Sequence, residues 1–164
     1  MVGEGGIFMN GMTKAIMLVL GFALIFGVVS AAPGGGAQVV KLVAKNSADW
    51  SVVKGGAFGS IMYQTDKFTF NAHGLTPSGE YTLINYVDPW GSENVILATG
   101  VADGNGNILL KGGAITLNPN EAGQGGYDYA GSKIWLVPSG DLNGGVKFIA
   151  WNPDSYLFET SLII

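Results

Sequence analysis

The side chains that most often carry out chemistry in proteins are scarce in this sequence. The chain has a single histidine, His73, and no cysteine. Without cysteine there is no thiol nucleophile, thiolate metal site or iron–sulfur cluster. One histidine is also too few for the copper and zinc centres found on β-sandwich proteins. A Ser-His-Asp triad lacks its G-x-S-x-G motif, so we predict a structural or surface role for His73.

Acidic side chains offer a second route to catalysis. A pair of carboxylates at the right separation can hydrolyse a glycosidic bond, one acting as acid and the other as base or nucleophile. The chain has 12 acidic residues in all, spread along its length. Some pair among so many will look suitable by chance, so we predict that the chain is not an enzyme. The carboxylates considered for such a pair are Asp88, Glu93, Asp128, Asp154 and Glu159.

One short segment has the spacing of a calcium-binding loop. Asp103, Asn105 and Asn107 alternate along the chain as the ligands of such a loop do. An EF-hand loop closes with a glutamate, and Ala114 stands at that position here. The same segment contains two Asx-Gly steps, which supply the positive φ of a tight hairpin turn. We favour the turn and predict no metal or other cofactor.

The aromatic side chains give a more specific hypothesis. Trp135 lies within an apolar run, KIWLVP, and is predicted to be core. Trp90 and Trp151 each lie beside an Asx-Pro turn. Exposed aromatic rings beside Asp and Asn can stack on sugar rings and hydrogen-bond their hydroxyls, but buried rings that anchor corners have the same sequence pattern. We favour the corner interpretation for these tryptophans.

A glycine-rich loop at residues 116–130 carries two further aromatic residues, Tyr127 and Tyr129, for which binding and anchoring remain equal alternatives. The residues of the glycan-binding hypothesis combine these rings with neighbouring polar groups. They are Asp88, Trp90, Tyr127, Asp128, Tyr129, Trp151, Asn152 and Asp154.

These residues must be positioned by β-strands. The run from Glu80 to Val87 has apolar or aromatic residues on both alternating faces, which is typical of a strand covered on both sides. About nine such short runs, separated by glycine turns, predict an all-β antiparallel sandwich that is Ig-like or jelly-roll-like. The predicted core includes Phe68, Leu83, Ile134, Leu136, Phe148 and Phe158.

The beginning of the chain has the pattern of an export signal. Lys14 precedes an uncharged apolar run at residues 15–29, and small residues surround a cleavage position after Ala31. This pattern predicts a signal-peptide helix over residues 1–31, a glycine-rich tether over 32–37 and one domain over 38–164. The alternative is an uncleaved membrane anchor. We therefore expect a secreted or cell-surface protein.

Three segments, YTLINYVDPW, KIWLVP and AWNPDSYLFE, resemble in this order a group of uncharacterised secreted β-domain proteins of archaea and bacteria. The resemblance covers residues 49–158 and implies a secreted β-domain. It implies no activity and no functional residues. Members of the group often have a cysteine pair, and this chain has none.

The net charge and the composition of the chain limit the classes of partner that it could bind. The eight basic residues are all lysines and the net charge is -4, which argues against nucleic acid. The favoured function is a non-catalytic structural or adhesive role in the envelope or extracellular matrix, with a glycan or envelope protein as partner. The alternatives are a carbohydrate-binding module and, third, an extracellular hydrolase. Any membrane association would come through an uncleaved leader.

The segment at residues 38–45 can also mediate self-association. Val40, Leu42 and Ala44 share one wholly apolar face, and the two lysines lie on the other. This pattern predicts the first strand of the domain's own sheet. The alternative is addition of the segment to the sheet edge of a second copy.

Overall fold

The computed structural model of the chain describes residues 36–115, 133–144 and 146–161. The predicted leader, most of the tether, and Tyr127, Asp128 and Tyr129 lie outside these residues. The described residues contain ten strands and two single 3-10 turns, at Ser139–Asp141 and Pro153–Ser155. The strands are β1 (Gln38–Ala44), β2 (Phe58–Gln64), β3 (Lys67–His73), β4 (Glu80–Tyr86), β5 (Val95–Val101), β6 (Ile108–Gly113), β7 (Lys133–Pro138), β8 (Leu142–Asn143), β9 (Lys147–Phe148) and β10 (Leu157–Glu159).

Eight strands form one large antiparallel sheet in the order β5-β4-β7-β10-β1-β2-β3-β6, and β8 pairs with β9 in a separate small ribbon. The two end strands of the sheet approach each other, and Gly100 of β5 lies against Leu110 and Ile108 of β6. The sheet is therefore nearly closed. The predicted all-β antiparallel class is confirmed, but the division into two packed sheets is not.

The predicted tight turn between β5 and β6 is present. The amide of Gly106 donates to the carbonyl of Asp103, and the amide of Asp103 donates to the carbonyl of Asn107. Gly106 has a φ of 75°, which a glycine adopts without strain. The flanking strands do not pair with each other, however. β5 pairs with β4 and β6 with β3, so the turn joins the two ends of the sheet.

The interior of the sheet holds the main hydrophobic core. The predicted core residues Phe68, Leu83, Ile134 and Leu136 are all buried there. A second cluster covers the outer face of β4, β7 and β10, where Phe158 is buried and Phe148 packs against it half-buried. Because of this second cluster, both faces of β4 are buried, as its sequence predicts.

β1 lies in the middle of the sheet, hydrogen-bonded to β2 on one side and β10 on the other. Val40 and Leu42 point into the core and are 1% and 0% exposed, whereas Lys41 is exposed. The segment is thus a strand of the domain's own sheet, as its pattern predicts. Within the described residues no helix is long or apolar enough to cross a membrane.

A close approach between β3 and β6 gives a stability prediction. Gly112 pairs with Phe68, and a Cβ at Gly112 would lie 2.2 Å from the Phe68 ring. Because Phe68 is buried, we expect Gly112→Ala to lower the free energy of unfolding by about 1–3 kcal/mol. A Cβ at the neighbouring Gly113 meets nothing within 4 Å. Gly113→Ala is therefore the matched control, with an expected change within about 0.5 kcal/mol in denaturant unfolding. Equal effects of the two substitutions would contradict the close packing.

Candidate functional site

Three loops bring three tryptophans together on the outer side of the second cluster. Trp50 comes from the loop at residues 45–57, Trp90 from the loop after β4, and Trp151 from the loop before β10. Their exposed fractions are 49%, 49% and 43%. We call these three residues the tryptophan face. The predicted corner anchoring thus holds only in part, since each ring packs on the cluster but remains about half exposed.

Trp151 lies at the centre of this group. Its ring centroid is 5.0 Å from that of Trp90, at an interplanar angle of 83°, and 6.2 Å from that of Trp50, at 41°. It also makes an edge-on contact with Tyr156 at 5.4 Å. Such contacts fix the rings in place, so the exposed ring surface is ordered before any ligand arrives.

Trp135 was predicted to be core and is instead half-buried beneath the tryptophan face. Its ring stacks on Tyr86 at 4.0 Å with an interplanar angle of 9° and meets Phe158 edge-on at 5.1 Å. Its indole Nε1 is buried and has no hydrogen-bond partner within the described part of the chain. Trp135 supports the exposed tryptophans from below.

A hydrogen-bond network positions the loop that carries Trp151. The hydroxyl of Tyr156, which is fully buried, donates to Oδ2 of Asp141 at 2.8 Å and accepts from the Asn152 amide at 3.1 Å. The Asn152 side-chain amide donates to Oδ1 of Asp141 at 2.9 Å. Burial raises the pKa of Tyr156 well above its ordinary value, so the hydroxyl remains a donor. Asp141 was not singled out from sequence, because an SGD turn looks like any surface loop.

The loop of Trp50 is held by polar side chains at its base. The carboxylate of Asp154 accepts from the amide and the hydroxyl of Ser47, at 2.9 and 3.1 Å. Trp50 itself has a φ of 59°, in the left-handed region that bulky residues rarely adopt. Strain of this kind is retained where the surroundings hold it, often at functional sites. Trp50 was not among the predicted site residues, since nothing in its local sequence marks it as exposed.

The loop of Trp90 is attached to the β8–β9 ribbon. Trp90 stacks on Phe148 of β9, with centroids 4.7 Å apart and an interplanar angle of 20°. Asn94, which is 4% exposed, donates from its side chain to the carbonyl of Val146 at 2.8 Å and accepts from the Val87 amide. Asn94 therefore fixes both the loop and the ribbon.

An open cleft of about 720 Å³ lies beside Trp151. Its lining combines one indole ring with carboxylate, amide and hydroxyl groups. The lining residues are Ser47, Pro138, Asp141, Trp151, Asn152, Pro153, Asp154 and Ser155. Three residues of the glycan-binding hypothesis, Trp151, Asn152 and Asp154, thus lie in one cleft. An arrangement of this kind can stack a ring and hydrogen-bond its substituents.

Asp88 has a different environment from the cleft residues. Its carboxylate forms an ion pair with Lys133, which is 3% exposed, and the Asp88-Pro89 peptide bond is cis. The Lys133 ammonium also lies 5.5 Å from the centroid of the Tyr86 ring. Asp88 thus links the end of β4 to the start of β7 and does not line the cleft.

The same environment gives a pH prediction. Burial, with the neighbouring Asp88 carboxylate, raises the pKa of Tyr86 from 10.0 to about 12. Between these values the unfolded phenol loses its proton while the folded phenol keeps it, so rising pH favours unfolding. We expect stability to fall from pH 10 to about pH 12, and Tyr86→Phe to reduce the slope of that fall. Thermal unfolding between pH 10 and about pH 12 measures the stability of both proteins. Equal slopes would contradict the contribution assigned to Tyr86.

The remaining candidates lie apart from the cleft. The Asp103 carboxylate accepts from the amides of Asn107 and Asn105, and these bonds lower its pKa. His73 is exposed, and its Nδ1 lies 2.7 Å from Oδ1 of Asn107. Among the described residues no group of three or more His, Cys, Asp or Glu could hold a metal ion.

The other two carboxylates considered for catalysis are also separate from the cleft. Glu93 forms an exposed ion pair with Lys147 at 3.5 Å. Glu159 is buried within β10 and is 2% exposed.

Comparison with protein-family models, with curated proteins and with solved structures found no match.

Proposed function

We propose that this chain is a non-catalytic, extracellular β-domain that attaches to a glycan through the tryptophan face and the adjoining cleft. One observation carries the proposal: Trp50, Trp90 and Trp151 come from three separate loops and lie side by side, about half exposed, next to a polar cleft. The domain would serve an adhesive or structural role at the cell surface or in the extracellular matrix.

Sugar rings suit such a surface for physical reasons. Their C–H faces are apolar and stack on indole, while their hydroxyl groups need polar partners at the rim. Here the partners are the side chains of Asn152, Asp154 and Ser155, which line the cleft beside Trp151. Because ring packing and hydrogen bonds already fix these groups, binding loses little side-chain entropy.

The export pattern at residues 1–31 is consistent with this role, since it would deliver the domain to surface glycans. Absence of cysteine means that the exported domain would depend on packing alone. The site is the same whether the sheet is nearly closed or divides into two packed sheets, because all three tryptophans pack on aromatic residues of the second cluster.

Titration with neutral oligosaccharides tests the proposal. Isothermal titration calorimetry of the purified protein would use cello-oligosaccharides and N-acetylated chito-oligosaccharides as probes, with adsorption to insoluble cellulose and chitin in parallel. We expect micromolar to millimolar dissociation constants for at least one of them. Absence of binding to every glycan tested, neutral or cationic, by a folded protein would contradict glycan attachment.

A further inference from the structure

We infer that the cleft beside the tryptophan face takes the ammonium group of a cationic amino sugar. The inference rests on the proposed function and specifies its ligand class. It follows from the charge of the cleft, the fixed geometry of its carboxylates and the aromatic surface beside it.

The cleft is acidic. Two of its eight lining residues, Asp141 and Asp154, carry carboxylates, and none carries a positive charge. Asp49, next to Trp50, adds a third carboxylate, whose pKa is lowered by hydrogen bonds from Ser51. The loop of Trp50 also carries Lys45 and Lys54, so the negative charge is concentrated in the cleft itself, whose lining has no positive group.

Both cleft carboxylates are fixed in place. Asp141 is held by Tyr156 and Asn152, and Asp154 by the amide and hydroxyl of Ser47. An ionised carboxylate has about four acceptor positions, so these bonds leave acceptor capacity for a ligand donor. A charged N–H donor gains most from such an acceptor, because Coulomb attraction between the opposite charges adds to the hydrogen bond.

The aromatic surface favours the same group. The ring planes of Trp50 and Trp90 are tilted by 41° and 83° from that of Trp151, so ring surface faces a ligand from more than one direction. An ammonium within about 6 Å of a ring centroid is attracted by the ring quadrupole, and indole is the strongest partner. The chain's own Lys45 ammonium already lies 5.7 Å from the centroid of Phe158 in this cluster.

A neutral sugar would gain less binding free energy from these features than a cationic one. Covering a carboxylate with a neutral sugar removes water and returns hydrogen bonds from hydroxyl groups, without the Coulomb attraction that an ammonium adds. A sugar with a free amine can stack its ring on the tryptophans and place its ammonium against Asp154, whose side chain is exposed. The cleft therefore selects among glycans by charge, while the tryptophans supply the shared stacking.

Two oligosaccharides of one backbone test the inference. A hexamer of β-1,4-linked glucosamine and its fully N-acetylated counterpart share one backbone and differ at the nitrogen, which is a charged ammonium in the first, at a pH that protonates the amines, and a neutral acetamide in the second. We expect the glucosamine hexamer to bind about tenfold more tightly in calorimetric titration. We expect the preference to weaken with added salt, since part of it is electrostatic.

Two variants assign the preference to the cleft. Asp154→Asn removes the charge with little change in shape and should reduce the preference severalfold. Asp66→Asn makes the same charge change in the β2–β3 turn, at the opposite end of β1, and should leave the preference unchanged. Circular dichroism would confirm that each variant is folded.

The possible results separate this inference from the proposed function. Tighter binding of the glucosamine hexamer that depends on Asp154 and not on Asp66 supports it. Equal affinities, or tighter binding of the acetylated hexamer, overturn the charge selection and leave glycan binding intact. An equal fall in preference for Asp66→Asn and Asp154→Asn also overturns it, because the attraction would then be to net charge alone. If neither hexamer, nor any neutral glycan, binds, the proposed function fails as well.

Discussion

Replacing Trp50 and Trp90 together with alanine is expected to weaken glycan binding about a hundredfold and to leave the fold intact. Truncation of a hot-spot aromatic residue costs more than about 1 kcal/mol, and two losses of about 1.4 kcal/mol each amount to a hundredfold. Both residues are 49% exposed, so about half of the surface of each is open to a ligand. Trp151 is kept in this variant because it contacts the other rings of the cluster. Calorimetric titration against the best-binding oligosaccharide measures the change.

The matched control removes exposed apolar surface elsewhere. Val39 and Met62 are 45% and 44% exposed and pair across β1 and β2, towards the end of β1 remote from the Trp50 loop. The double variant Val39→Ala/Met62→Ala should bind glycan as the unaltered protein does. If the control loses as much affinity as the tryptophan variant, the binding is non-specific adsorption to exposed apolar surface, and the tryptophan face has no specific role.

Removal of β1 is expected to abolish cooperative folding. β1 supplies the hydrogen-bond partner of both β2 and β10, so its loss would divide the eight-stranded sheet and leave two unpaired edges. Burial of Val40 and Leu42 alone contributes about 1.5–3 kcal/mol each, against a typical total stability of about 5–15 kcal/mol. We expect a chain that begins at Asn46 to show no unfolding transition and to aggregate.

A chain that begins at residue 36 is the control for this truncation, because it retains all of β1. It should unfold cooperatively and remain dispersed in light scattering. If the chain beginning at Asn46 is as stable as this control, β1 does not complete the sheet. A stable dimer of the control chain would instead support the alternative that β1 is exchanged between two copies.

Local patterns predicted much of the sheet from sequence. The double-faced apolar pattern of Glu80–Tyr86 identified β4, and alternation identified the core side of β1 and β3. The Asx-Gly steps identified the turn near Gly106. These features depend on near neighbours in the chain, for which side-chain period and turn chemistry are sufficient information.

Features that depend on distant neighbours were not predictable in this way. The order of strands in the sheet follows from pairings such as β1 with β10, which are far apart in sequence. The partner of Asp88 is Lys133, and the hydrogen-bond partner of Asp154 is Ser47. Trp50 joined the site for the same reason, because only the fold brings its loop to Trp151.

Nuclear magnetic resonance of the indole N–H groups tests the central claim most directly. The chain has four tryptophans, so a spectrum of the labelled protein contains four such signals. During titration with a binding oligosaccharide, we expect the signals of Trp50, Trp90 and Trp151 to shift together with one dissociation constant. The Trp135 signal, whose nitrogen is buried, should move least. Saturable binding that leaves the signals of all three exposed tryptophans unmoved would show that the ligand binds elsewhere, contrary to this account.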